Sequence, residues 1–149
     1  MARLRFNLAT TAEIACTTSL KTVLSLFPPA NTRMVLRGFG VAFDGVSSTA
    51  GAAEVTLVLH SSSATMTGGT LNKDVQGTTE SLATSGSYAA SAEPTINSVL
   101  RSYNVNPMTG YERAFAEDEE IQVSGGQRIG LQVRASSSVN VHAFLVAEE

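Results

Sequence analysis

The chain has 149 residues, with ten basic and thirteen acidic side chains, a net charge of −3 and a pI near 5.4. That length sets a single domain, 1–149, able to bury roughly two thirds of its unfolded surface, and the acidic balance argues against general nucleic-acid binding, which needs a basic face. A hydrophobic fraction of 43% and a charged fraction of 15% exclude a disordered chain, and no apolar run approaches the ~20 residues of a membrane span.

Residues 3–9 alternate Arg3, Arg5 and Asn7 against Leu4, Phe6 and Leu8, the period of two of a β-strand. Being terminal and carrying two arginines, residues 1–10 read either as an arm that leaves the domain body or as an ordinary first strand. Residues 10–19 are Thr-rich around Ile14, Ala15 and Cys16, and suit a short strand or an irregular connection. Leu20 to Phe27 reads as a strand that Pro28-Pro29 stops, because proline cannot donate to a ladder.

The longest strand signal is Thr32 to Phe43. Val35, Arg37, Phe39, Val41 and Phe43 share one face, and Met34, Leu36, Gly38, Gly40 and Ala42 the other. Small residues on that second face imply that a backbone or a bulky side chain comes close. The Pro-Pro-Ala-Asn turn before it predicts a hairpin with Leu20–Phe27. Asp44-Gly45 starts a turn, Val46 to Ala53 is small and flexible, and Glu54 to His60 is a strand with Val55, Leu57 and Leu59 inward.

From Ser61 to Asn97 the chain is dominated by Ser, Thr, Ala and Gly. A structureless loop of that length is uncommon in a compact domain, so one or two weak edge strands plus a surface excursion are expected over 61–97. Alternation resumes through Ser98–Val105, Asn106-Pro107-Met108-Thr109-Gly110 is a turn cluster, and Tyr111–Ala116 is a short strand. The clearest pattern spans Glu120 to Ala147. Ile121 and Val123 alternate with polar neighbours, Gly125-Gly126 supplies a turn, Ile129, Leu131 and Val133 share a side, and Val139–Val146 follows. This predicts a three-stranded meander. The whole reads as an all-β, single-domain antiparallel β-sandwich, jelly-roll-like, of about eight strands and little helix.

Chemistry-bearing groups are few. Only His60 and His142 are available as bases, no G-x-S-x-G elbow is present, and Cys16, the one cysteine, reads as a small buried hydrophobe. A single cysteine permits no intrachain disulfide and suits synthesis in a reducing compartment. The N-terminus carries charge but no apolar h-region, so no signal peptide is read. Two unspaced histidines do not make a zinc site. Glu117-Asp118-Glu119-Glu120 has the oxygens for calcium but not the loop pattern, and reads as a solvated run guarding an edge. Gly38-Phe39-Gly40 lies within a strand, not before a helix, so it is no dinucleotide loop. The expectation is no catalytic residue, no cofactor site and no metal site. A chain rich in strand formers and poor in catalytic groups works by contact.

The segments Thr32–Gly45, Gly125–Leu131 and Phe144–Glu149 resemble small structural proteins of tailed bacteriophages, in particular the β-sandwich decoration, or cement, proteins of the capsid exterior. The resemblance covers roughly residues 20–60 and 98–149. It implies a non-enzymatic virion protein, made in the host cytoplasm and placed on the capsid surface. It further implies a homo-oligomer, a trimer, bound to several major capsid protein subunits, with no nucleic acid or membrane partner. Arg3, Leu4, Arg5, Phe6 and Leu8 are then candidates for a subunit- or capsid-interface arm. Two other readings stay open. One is a receptor- or glycan-binding head of a viral fibre that recognises its target through residues 61–97. The other is a small β-sandwich enzyme using a carboxylate pair from Asp118, Glu119 or Glu120.

Overall fold

Side chains that alternate between two environments need a sheet with something packed on it, and this chain builds two such sheets. The computed structural model describes residues 3–45, 51–63 and 65–149, and among them it has thirteen strands and no helix. The expected turn at Val46–Ala53 falls mostly on residues 46–50, outside the described residues. A seven-stranded sheet contains β1 (Arg5–Ala9), β2 (Ile14–Cys16), β4 (Met34–Asp44), β7 (Leu71–Lys73), β10 (Tyr111–Ala114), β11 (Ile121–Val123) and β13 (Val139–Glu148). Its order is β10-β4-β13-β1-β7, with β11 also beside β4 and β2 also beside β13.

The second sheet contains β3 (Lys21–Phe27), β5 (Ala53–His60), β6 (Thr65–Gly69), β8 (Ser85–Ala92), β9 (Ile96–Val105) and β12 (Arg128–Arg134), in the order β6-β8-β3-β12-β5-β9. Every pairing is antiparallel. The two inner faces close on one cluster of buried apolar side chains. Phe6, Leu8, Phe39 and Leu145 come from the first sheet, and Leu24, Leu57, Ile129 and Leu131 from the second. The all-β class and the pair of antiparallel sheets therefore match the sequence reading.

The strand count does not: thirteen replace about eight. The stretch 61–97 holds β6, β7 and β8, more sheet than expected there. Two of these lie at sheet edges, where no strict apolar alternation is required. The predicted hairpin is absent as well. β3 and β4 belong to different sheets, so Pro28 to Arg33 is an arch between layers. Both sides of β3 are occupied, by β8 and β12, which leaves no ladder for β4. The C-terminal meander is likewise replaced by alternation between layers. β11 pairs with β4, β12 lies between β3 and β5 in the other sheet, and β13 returns to pair with β4 and β1.

β4 departs from simple alternation at Arg37. Opposite β13, Val146 faces Gly38 while Ala147 faces Leu36, so Arg37 is the extra residue of a β-bulge. The bulge switches which residues of β4 point inward. Met34 and Leu36 are buried before it and Phe39 and Val41 after it, although the sequence alternation places these pairs on opposite faces. Arg37 thereby points outward, where its Nε donates to Glu148 Oε2 at 2.8 Å and its guanidinium also meets the Glu120 carboxylate. The close approach expected on the small-residue face is present. A Cβ on Gly40 would lie 2.2 Å from the Phe144 ring, so only glycine leaves room for that ring to lie flat on the sheet.

β1 is an inner strand of this chain's own sheet, as the ordinary first-strand reading has it. It pairs with β13 on one side and β7 on the other, and Phe6 and Leu8 are fully buried. Replacing Leu8 with Ala is therefore expected to lower unfolding free energy by about 2–5 kcal/mol in urea titrations. A change below about 1 kcal/mol would mean that β1 does not pack in the domain body.

Candidate functional site

The five residues singled out near the N-terminus all find partners within the chain. Arg3 Nε lies 3.2 Å from Glu148 Oε1, and Arg5 Nε 3.0 Å from Asp74 Oδ2. Leu4 extends the β1–β13 ladder by exchanging backbone hydrogen bonds with Glu149 at 2.9 and 3.1 Å. Phe6 and Leu8 belong to the core. Glu148 thus accepts from Arg3 through one carboxylate oxygen and from Arg37 through the other. The acidic run is divided in the same way. Glu119 accepts twice from Arg113 Nη2, at 2.7 and 2.9 Å, and Glu120 pairs with Arg37. The hydrogen bond from Arg113 holds the Glu119 carboxyl below its usual range, and the bond to Glu119 raises the Arg113 guanidinium in turn. Among the described residues no three His, Cys, Asp or Glu side chains converge as metal ligands do.

Cys16 is buried, and desolvation pushes its thiol up to about 11, opposed in part by the nearby Lys21 charge. It stays protonated near neutral pH and is a poor nucleophile. The two histidines have opposite environments. His142 lies on the outer face of the seven-stranded sheet, half exposed, with Nε2 3.7 Å from Glu13 Oε1. Glu13 also accepts from Asn140 Nδ2 at 2.9 Å. Beside His142 is a groove of about 590 Å³, lined by Thr10, Gly40, Ala42, Glu112, His142 and Phe144. It exists because Gly40 and Ala42 lower the floor of the sheet while the Thr109–Glu112 segment stands along one side. The sequence reading found the small residues of that floor but not the groove, since its walls come from β1, β4, β10 and β13, far apart along the chain.

His60, by contrast, is only 6% exposed. It sits on the outer face of the six-stranded sheet, and its ring covers Gly130, where a Cβ would come within 2.2 Å of His60 Cε1. With it are buried Thr22, Thr56 and Gln132, a polar layer on the side of the sheet away from the apolar core. Gln132 Nε2 donates to Thr22 Oγ1 at 3.0 Å and stands 3.5 Å from His60 Nε2. Thr56 Oγ1, His60 Nδ1 and Gln132 Oε1 have no hydrogen-bond partner among the described residues. Alternation marks Thr56, His60 and Gln132 as outward-facing but sets Thr22 on one face with Leu24 and Leu26; the register shift of β3 against β12 between Leu24 and Thr22 moves it to the outer face.

Comparison with known proteins finds no matching family model, no matching curated protein and no matching solved structure. By its fold the protein is an antiparallel two-sheet β-protein.

Burial, with a smaller contribution from the Arg128 charge, lowers the His60 pKa from 6.5 to about 4. In the unfolded chain His60 takes up a proton near pH 6.5, whereas in the folded chain it does so only near pH 4. Its contribution to stability is present above the unfolded value and is lost as pH falls through the interval between the two. That loss amounts to roughly 3 kcal/mol by pH 4. Urea unfolding at several pH values is expected to show a shallower acid decline in His60→Gln than in the wild type. Parallel declines would mean that His60 titrates alike in both states.

Proposed function

We propose that this chain is a structural protein of a phage virion, a capsid decoration or cement protein. In this reading it binds the outer surface of the head as a trimer, contacts several major capsid protein subunits and stabilises the shell without catalysis. The observation that carries the reading is the character of β9. This ten-residue strand ends the six-stranded sheet, its one charged side chain is Arg101, and it exposes Ile96 at 38% and Val99 at 57%. Arg101 does not guard the edge, because its guanidinium lies 4.7 Å above the Phe115 ring. Natural edges are commonly blunted by lysines, prolines, short length or bulges; β9 has none of the first three, and two register shifts in its pairing with β5 are its one such device. A long edge with exposed apolar side chains suits adhesion to another protein. Three copies on one shell would multiply weak contacts into avidity. The repeated crossing of the chain between layers at β3–β4, β4–β5, β11–β12 and β12–β13 fits a jelly-roll-like topology.

A second reading, a receptor- or glycan-binding head, draws on the groove beside His142. There the partly buried Phe144 ring offers a stacking surface, with Glu112 and Thr10 as polar neighbours.

The decisive assay mixes the purified chain with expanded capsid shells of the phage that encodes it. Attachment, a solution mass of three chains and a higher melting temperature of the decorated shell are expected. Val99→Lys, which alters an exposed position, should keep the fold while weakening attachment by about tenfold or more. Failure of the wild-type chain to attach would end the cement reading, and specific retention on immobilised glycans would favour the second.

A further inference from the structure

The polar layer around His60 is covered by a part of the chain that is held on by few bonds. At Ala89, where φ is 53°, β8 turns, and beyond it the Lys21 ammonium donates to Ala90 O. The connector from β8 to β9 follows. Glu93 Oε2 accepts from Thr22 N at 2.8 Å and from Thr22 Oγ1 at 2.5 Å. At the other end Thr95 O accepts from Ser61 N at 2.9 Å, and Thr95 N donates to Ser62 Oγ at 2.9 Å. The connector therefore runs from beside β3 to the end of β5, passing over β12, which lies between those strands in the sheet. Pro94 at its middle is buried although Glu93 and Thr95 on either side are exposed. This accounts for the burial of Thr22, Thr56, Val58, His60 and Gln132 on a face that carries no second sheet.

We propose that His60 and the Glu93–Thr95 connector form an acid-sensitive latch, in which protonation of His60 frees the connector and uncovers the outer face of the six-stranded sheet. A directional chain of hydrogen bonds links the two. With the neutral ring protonated at Nδ1, Nε2 is free to accept from the Gln132 amide 3.5 Å away, the same amide donates to Thr22 Oγ1, and Thr22 Oγ1 donates to Glu93. Once the ring is protonated, both of its nitrogens are donors. Nε2–H then faces the Gln132 NH₂, donor against donor in a buried place where an unmade bond is costly. Relief within the chain requires the amide to turn, so that Gln132 Oε1 meets His60 and claims the Thr22 hydroxyl proton. Glu93 then keeps only the Thr22 N–H.

The surrounding charges act in the same sense or lie apart. Arg128 on β12 disfavours a second positive charge and is itself stacked 3.9 Å from the Phe27 ring. Glu93 is the connector's only ionisable residue, and Lys21 on β3 is engaged with Ala90. Glu54 on β5 and Arg134 on β12 pair with each other. Arg101 on β9 is turned toward Phe115, and β6 and β8 carry no charged side chain. The latch is independent of the capsid reading and operates on the free chain.

Amide hydrogen exchange between about pH 7 and 4, corrected for the intrinsic rate, tests it. The Ser61 and Thr95 amides are expected to lose about tenfold or more in protection across this range, while amides of β13 keep theirs. In His60→Gln the selective loss should vanish. NMR titration of the wild-type His60 ring gives a second reading that needs no variant, and its midpoint should coincide with the loss of protection at Thr95. The proposal is overturned if the connector and β13 amides change together or not at all. It is equally overturned if His60→Gln retains the selective loss, or if the ring titrates without any change at Thr95.

Discussion

The bulge at Arg37 is the constraint on which the rest of the fold depends. A strand as long as β4 twists, and a strict period of two would turn either Met34 and Leu36 or Phe39 and Val41 out of the core. One extra residue resolves the conflict. The residue that occupies the bulge is a cation facing outward, and Glu120 and Glu148 are placed to receive it. Because Glu148 lies on β13 and Glu120 immediately precedes β11, the same guanidinium ties β4 to the strands on its two opposite edges. Arg3 adds to the cluster through Glu148, so the start and the end of the chain meet at one charged knot.

With β4 and β13 in register, the inner face of the seven-stranded sheet becomes continuous. Phe39 then has Tyr103, Tyr111 and Phe115 around it, with ring centroids 5.2, 5.8 and 6.1 Å away. Tilted contacts at such spacing favour ordered packing over a fluid interior. On its outer face the same pair of strands makes the shallow groove beside His142. The six-stranded sheet differs in kind. Its centre is covered on both sides, by apolar packing within and by the Glu93–Thr95 connector without. The two sheets therefore differ at the surface: one carries a small-residue groove and the other a long edge strand whose one charged side chain is Arg101.

Much of this was legible in the sequence, and the failures have specific physical causes. The strands at Lys21–Phe27, Met34–Asp44, Ala53–His60, Ile96–Val105 and Arg128–Arg134 follow directly from alternation. The close contact at Gly40 was signalled by the small residues around it. Pairing was not legible, because a Pro-Pro turn and a Gly-Gly turn look alike whether the next strand joins the same sheet or the opposite one. β7 is three residues long with one apolar side chain, Leu71, too little for a period of two to register. β6 and β8 are built of Ser, Thr, Gly and Ala, so their sheet character comes from tertiary pairing rather than from pattern. The His60 layer was hidden for another reason. Alternation assigned Thr56, His60 and Gln132 outward but set Thr22 with Leu24 and Leu26, because the bulge in β3 leaves no mark in the sequence, and the burial of this outward face depends on a connector distant from β5 and β12 along the chain.

Interstrand proton–proton contacts measured by NMR test the register shift between β4 and β13. Facing-pair contacts are expected between Phe39 and Leu145 and between Leu36 and Ala147, with Arg37 facing no residue of β13. A facing pair formed by Arg37 and Ala147 would mean an unbroken ladder. It would contradict the inward placement of both halves of β4.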